Sequence, residues 1–306
     1  MENKKKNKQA ILAGIVTCNP EIELLKKNIE ALIEQVEEIL IVDNASDNKE
    51  EIYELREKYT NIHIIFNESN KGLATALNQI LKYSIKESYE WYLTMDQDSI
   101  VSQNLVKSYR PFMVENAAIL CPFLLNNDKI NMTDYQSMDL PESEEITDPI
   151  DCITSASLNQ TKAIQNVGGY DDKLFIDCID VDINIRVIEA GYSIFRVNSA
   201  FIKQQMGEGK PIPFFLYLYK LSGRSIFQKL SVSPVYSDRR IYYIARNSLY
   251  INKKYKAEAG NRMTRPWMTG QFIYYCLTYP KVRRRKDMIK AWFKGRCDAK
   301  ELLEEN

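Results

Sequence analysis

The chain has 306 residues, enough for one large α/β domain with an appendage or for two smaller domains. Its apolar fraction of 45% and charged fraction of 27% are those of a globular protein. Lys plus Arg equal Asp plus Glu at 41 each, so global charge gives no footprint for nucleic acid. The only histidine, His63, rules out a multi-histidine zinc site or a histidine-centred triad. Flanked by Ile62 and Ile64, it is expected to be structural. Six scattered cysteines without a C-x-x-C fit a reducing cytoplasm better than a disulfide framework. No run of 18 apolar residues occurs, and no signal-type apolar core follows the polar residues 1–9.

Apolar bursts recur at 10–16, 39–42, 62–66 and 91–95. Between them lie helical stripes: Leu24, Leu25, Ile29, Leu32, Ile33 and Val36; then Ile52, Leu55 and Tyr59; then Leu73, Leu77, Ile80 and Leu81. Strand–helix alternation with short connections predicts right-handed βαβ units and a parallel sheet. Beyond residue 98 the pattern loosens. A helix is expected over 104–115 and a strand near 117–121. The acidic, aperiodic stretch 126–149 reads as a surface excursion. A strand is expected over 150–158, a short helix over 160–167 closed by Gly168 and Gly169, a helix over 180–190 stopped by Gly191, and a strand over 192–197. From residue 206 the chain turns aromatic and helical. A boundary therefore falls near 205, separating a catalytic-type domain (1–205, with halves of about 10–100 and 101–205) from a helical region (206–306).

The densest chemical signal is W-Y-L-T-M-D-Q-D at 91–98, an apolar run ending in Asp96 and Asp98. In an open α/β sheet, ligands bind beyond the carboxyl ends of the strands, so both carboxylates should stand at a cleft mouth. With one residue between them, the chain must turn for both to face one ligand. Two like charges this close favour a divalent cation, whose shell is completed by water and substrate phosphates. An isolated D-x-D is more often an ordinary strand exit, so context decides. The other strands end in V-T-C-N-P (16–20), V-D-N-A-S-D-N (42–48) and a turn leading to N-K-G-L-A (70–74), all on the same edge. Gly72 at a helix start permits close backbone approach, and that helix end favours anions. Dinucleotide and P-loop fingerprints are absent. A calcium loop over 43–54 fails for want of Gly at its sixth position.

A second acidic cluster, F-I-D-C-I-D-V-D-I-N-I-R at 175–186, follows G-G-Y-D at 168–171. Helix capping accounts for one aspartate there but not for three in six residues. A general base acting on a hydroxyl needs such a carboxylate near the reacting carbon.

Taken in order, T-C-N-P, V-D-N-A-S-D-N, N-x-G-L-A-x-A-L-N, D-Q-D-S, G-G-Y-D and F-I-D-x-x-D-V-D-x-x-x-R resemble glycosyltransferase family 2 over residues 10–197. L-T-M-D-Q-D-S and F-I-D-C-I-D are nearest to its bacterial rhamnosyltransferase-like branch. The resemblance implies a GT-A fold, a mostly parallel sheet flanked by helices, here with a C-terminal helical extension. It implies that Thr17, Asn19, Asp43 and Gly72 bind the donor. Asp96 would face ribose and metal, and Asp98 would bind Mn2+ or Mg2+. Asp180 would be the catalytic base, with Asp182 as runner-up. Arg246, in R-R-I-Y-Y-I-A-R-N (239–247), is a further donor-binding candidate.

Two departures stand out. Ile179 occupies the position where the family often has Glu. Gln204-Gln205-Met206-Gly207 replaces an H-x-L-G pattern, which removes a histidine metal ligand. The Q-x-x-R-W signature of processive synthases is absent, which favours one sugar per binding event. The expected function is therefore inverting, metal-dependent transfer of one sugar in cell-surface polysaccharide assembly. The donor would be dTDP-rhamnose and the acceptor a saccharide or polyprenyl-diphosphate-linked saccharide. A UDP-sugar hexosyltransferase and a non-catalytic nucleotide-sugar-binding subunit are the alternatives. A pyrophosphorylase-like enzyme is disfavoured because it would need a glycine-rich N-terminal loop. Eight basic residues against one acid over 281–296, beside aromatic helices, suggest docking on an anionic membrane surface at the inner face of the cell membrane.

Overall fold

Each of the four apolar bursts becomes a strand, because a run this short is apolar enough to be covered on both faces only inside a layered sheet. In the computed structural model these are β1 (Ile11–Thr17), β2 (Glu38–Asp43), β3 (Ile62–Phe66) and β4 (Trp91–Asp96). They are joined by α1 (Ile22–Leu32), α2 (Lys49–Lys58) and α3 (Leu73–Lys86). The structure describes residues 10–125, 132–204, 210–233, 236–279 and 284–304. The β1–β2, β2–β3 and β1–β4 pairings are all parallel. Leu25, Ile29 and Leu32 of α1 and Ile52 and Leu55 of α2 pack with Ile11, Ala13, Ile15, Ile39 and Ile41 on one face. On the other face α3 lies so close to β1 that a Cβ on Gly14 would sit 2.5 Å from the Ile80 side chain.

The rest of the first unit continues through β5 (Ser99–Val101), α4 (Leu105–Tyr109), β6 (Ala117–Leu125), α5 (Met132–Ser137), β7 (Ser143–Glu145), β8 (Ser157–Gln160), α6 (Thr161–Asn166), α7 (Ile179–Glu189) and β9 (Ser193–Gln204). The main sheet runs β3-β2-β1-β4-β8-β6-β9-β5, with β7 beside β9. It is mixed: β8 is antiparallel to both β4 and β6, whereas β6 and β9 are parallel. The expected architecture, a sheet flanked by helices with C-terminal helices, is the one observed.

Four local expectations are corrected. The helix over 104–115 stops at Tyr109 and continues only as a 3₁₀ turn, Arg110–Phe112, because Pro111 lacks an N–H and its ring clashes with the carbonyl four residues back. The strand over 150–158 shrinks to Ser157–Gln160. Upstream, Asn184 Nδ2 donates to the carbonyls of Pro149 and Cys152 at 2.8 Å each, taking the place of a ladder. The strand over 192–197 extends to Gln204, and the excursion over 126–149, described from residue 132, contributes β7.

Two units are distinguished by their internal contacts: Met1–Phe175 with Ile179–Gln205, and Ile176–Cys178 with Met206–Asn306. The second comprises β10 (Lys210–Pro211), α8 (Pro213–Ser222), α9 (Ser225–Leu230), β11 (Val232–Ser233), α10 (Asp238–Tyr255), α11 (Arg265–Thr278) and α12 (Arg285–Glu304). Its core joins Ile241, Ile244 and Ala245 of α10 to Tyr275 of α11 and Met288 and Trp292 of α12.

Gly14→Ala is expected to overpack the α3–β1 contact and cost about 1–3 kcal/mol, read as a fall of several degrees in Tm. An unchanged Tm would show that Ile80 repacks freely.

Candidate functional site

Strand order reverses between β1 and β4: β2 and β3 lie to one side of β1, β4 to the other. That is the topological switch point at which open α/β sheets bind ligands. Register brings the polar strand ends together there. Thr17 pairs with Asp43, and Val16 with Asp96.

Asp43 is fully buried and organises two loops. Its Oδ1 accepts from the Thr17 hydroxyl at 2.8 Å and from the Ser46 hydroxyl, and its Oδ2 accepts from Ser46 N–H at 2.9 Å. Ser46 Oγ in turn accepts from Asn19 N–H, and Asn19 Oδ1 from Asp47 N–H, each at 2.7 Å. A buried carboxylate is tolerated when its lone pairs are met in this way. Asn19 and Ala45 both take left-handed backbone angles, φ 50° and 60°; for Ala45 that is strain held in place by the network. Thr17 and Asp43 thus shape the rim from beneath, while Cys18, Asn19 and Asp47 are its exposed residues.

The D-Q-D sequence occupies a turn between β4 and β5, the reversal that its spacing requires. Asp96, Gln97 and Asp98 are all partly exposed. Three side chains fix this turn. Asn28 Nδ2, buried on α1, donates to Asp96 O at 2.7 Å. Asp96 N–H donates to Ser155 Oγ at 3.2 Å. The Gln97 amide spans the switch point, accepting from Cys18 N–H at 2.7 Å and donating to Cys18 O at 3.4 Å. Two hard carboxylates presented on a braced turn, open to solvent on one side, suit a divalent cation that also takes oxygens from a diphosphate. Among the described residues no group of three His, Cys, Asp or Glu is placed to hold a metal, so substrate and water would complete the shell. Residues 205–207, where a histidine ligand was sought in the sequence, lie outside the described residues.

Gly72 caps α3 at φ 88°. The close approach it permits in this structure is by the protein itself: a Cβ there would lie 2.8 Å from the Phe175 carbonyl oxygen, and Leu73 N–H donates to that same oxygen at 2.7 Å. Gly72 therefore ties the half over residues 10–100 to the segment carrying the second acidic cluster.

Within that cluster the three aspartates separate by environment. Asp182 is fully buried and ion-paired with Arg186, which donates from Nε at 3.0 Å and from Nη2. Asp180 opens α7 partly exposed, with Oδ1 accepting from Val181 N–H at 2.9 Å. Asp177 belongs to the second unit, where Arg240 Nη2 meets its Oδ1 at 3.1 Å. Burial pushes the Asp177 carboxyl above its usual range, against the pull of Arg240. Asp177 and Cys178 are consecutive left-handed residues, φ 65° and 63°. Asn247, buried on α10, holds them by donating to Ile176 O at 2.7 Å and Asp177 O at 2.9 Å. Arg246 donates from Nε to Asn247 Oδ1 at 2.8 Å and stacks on Tyr243 at 4.8 Å, so it orients this clasp.

Asn28, Gln97 and Ser155 went unnoticed in the sequence as parts of a site, although Gln97 lies inside D-x-D. Arg240 and Asn247 lie in the 239–247 stretch that the sequence brought forward, but without the carbonyl-holding role of Asn247. His63 meets Glu38 at 3.2 Å, at the opposite end of the strands from the rim turns. None of the six cysteines is in a disulfide.

Comparison with known proteins bears on what this rim does. Residues 13–163 match the model for glycosyl transferase family 2. The dTDP-rhamnosyl transferase RfbF of Shigella flexneri is 27% identical over 261 residues, covering 80% of each chain. Among solved structures, S. aureus TarS 1-349 in complex with UDP-GlcNAc superposes with a TM-score of 0.56 at 16% identity, covering 92% of this chain and 79% of that one. GalNAc-T7 with UDP, GalNAc and Mn2+ gives 0.51 at 14% identity, covering 64% of this chain but only 43% of that one. At these identities the two structures attest the fold alone.

Replacing Asn247 by Asp keeps its shape but removes the donor to two carbonyls. The expected loss is about 1–3 kcal/mol of unfolding free energy, measured by urea denaturation, and Asn247→Ala should lose as much. Wild-type stability in Asn247→Asp would contradict the clasp.

Proposed function

We propose that this chain, which carries a glycosyl transferase family 2 domain and is a glycosyltransferase using a nucleotide sugar, transfers one sugar with inversion to a saccharide hydroxyl. The observation that supports this most is the braced Asp96–Asp98 turn at the switch point between β1 and β4. A donor lying across that rim meets Asn19 and the loop organised by Asp43 on its nucleoside side, and the two carboxylates at its diphosphate.

Asp98, with Asp96, would hold a divalent cation, Mn2+ or Mg2+, beside the donor diphosphate. When bound, the ion supplies Lewis-acid stabilisation of charge on the leaving diphosphate. Asp180 takes the proton from the acceptor hydroxyl as its oxygen bonds to the anomeric carbon, and the bond to the diphosphate oxygen breaks on the opposite face. Opposite-face attack inverts the anomeric configuration, through an oxocarbenium-like transition state. Asp180 is preferred to Asp182 because Asp182 is buried and committed to Arg186. Asp182 is assigned a fastening role.

The similarity to RfbF over most of both chains favours dTDP-rhamnose as donor. A UDP-hexose is the second reading, supported by the UDP-sugar that the TarS structure contains. The acceptor we favour is a saccharide or a polyprenyl-diphosphate-linked saccharide of cell-surface polysaccharide assembly.

Asp180→Asn should lose at least ~100-fold in turnover, the lower end of what general-base assistance contributes, while calorimetry shows unchanged nucleoside-diphosphate affinity. Near-normal turnover would remove Asp180 from the role. Asp98→Asn should abolish the metal dependence of donor binding and leave metal-free binding unaltered. In a panel of nucleotide sugars with Mn2+ or Mg2+, scored by nucleoside-diphosphate release, dTDP-rhamnose should react fastest. A faster UDP-hexose would establish the second reading.

A further inference from the structure

The second unit already has its core where α10, α11 and α12 meet, yet it presents a second apolar array outward. None of the ten residues of α8 is buried. Phe214, Tyr217 and Leu221, spaced i, i+3 and i+7, share one face and are 63%, 64% and 72% exposed. After a turn at Gly223, α9 exposes Ile226, and α11 alongside exposes Trp267. The two parts are joined: the Tyr274 hydroxyl of α11 donates to Val232 O of β11, the strand that follows α9, at 2.9 Å. Large side chains exposed together in this way mark a contact surface.

Charge selects the partner. The chain holds 41 acidic residues in 306, but residues 213–230 and 265–278, which span α8, α9 and α11, contain none. They carry four basic residues, Lys220, Arg224, Lys229 and Arg265. Lys220 and Arg224 are exposed at the end of α8. A second copy of the chain meeting this face symmetrically would place cation against cation, which disfavours self-association there. No helix among the described residues is long and apolar enough to cross a membrane, and α8 at ten residues spans only about half of a bilayer core. A short aromatic and aliphatic helix with flanking Lys and Arg suits the headgroup boundary instead.

We propose that the outward face of α8, α9 and α11 is a docking surface for an anionic phospholipid bilayer, with Phe214, Tyr217, Leu221, Ile226 and Trp267 entering the interface and the basic residues meeting the headgroups. This goes beyond the transfer reaction and is independent of the donor sugar and of Asp180. It places the apolar contact on α8, α9 and α11, within the aromatic helices that the sequence set beside the basic run over 281–296.

The test is co-sedimentation of the full chain with phosphatidylcholine vesicles, with and without phosphatidylglycerol, at low and high salt. Wild type should bind only the phosphatidylglycerol vesicles and be released by salt. The Phe214→Ser, Leu221→Ser double variant should need at least about tenfold more lipid for half-binding, given the free energy of burying two such side chains, with nucleoside-diphosphate release in solution unchanged. Absence of wild-type binding, equal binding to neutral vesicles, or undiminished binding by the double variant would each overturn the proposal. So would a dimer, seen by analytical ultracentrifugation, that the double variant dissolves; that result would assign the face to a second copy.

Discussion

Strand register carries the site. Because β1 pairs Thr17 with Asp43 on one side and Val16 with Asp96 on the other, three strand ends reach one rim at one height. Side chains alternate along a strand, so a slip of one residue would turn Thr17 away from Asp43 and break the loop network at its centre. The buried apolar residues of β1, β2 and β4 enforce the register, since the same slip would expose them. The polar contacts then lock what the core has aligned. Asp43 satisfies Thr17 and Ser46, and Gln97 reaches across to Cys18.

The second acidic cluster is held differently. Its strained residues, Asp177 and Cys178, group with the C-terminal helices, while α7 immediately after them groups with the sheet. Two consecutive left-handed residues without glycine persist only where the surroundings over-determine them. Asn247 does so through two carbonyls, and Arg240 through the Asp177 carboxylate. Within the first unit, Phe175 O receives Leu73 N–H at the start of α3. Asp180 itself stays partly exposed. An accessible carboxylate is what the proposed role of general base requires.

The half over residues 10–100 was legible because it obeys simple periods. Ile62–Phe66 is a strand with the very bounds its apolar run suggests, and the stripes of α1 and α3 fall on their buried faces. From Ser99 onward, side chains and proline override the pattern. Pro111 divides the expected helix, and Asn184 takes the Cys152 carbonyl that a strand over 150–158 would have paired. The three-residue strands β5 and β7 are too short to show alternation. In the site, the carboxylates could be found because Asp96 and Asp98 interrupt an apolar run. Their supports could not: Asn28 sits inside an ordinary helical stripe, and Asn247 is distant in sequence from the carbonyls it holds. Likewise, spacing alone could not reveal that Asp182 is sealed by Arg186 whereas Asp180 is open.

The claim on which the catalytic account rests is that the turn between β4 and β5 is where a cation meets the leaving diphosphate. Anomalous diffraction from crystals soaked with Mn2+ and a nucleoside diphosphate reads this directly. The account predicts one manganese peak at bonding distance from the Asp98 carboxylate, bridged to both phosphates. A manganese and diphosphate pair bound away from Asp96 and Asp98 would contradict it.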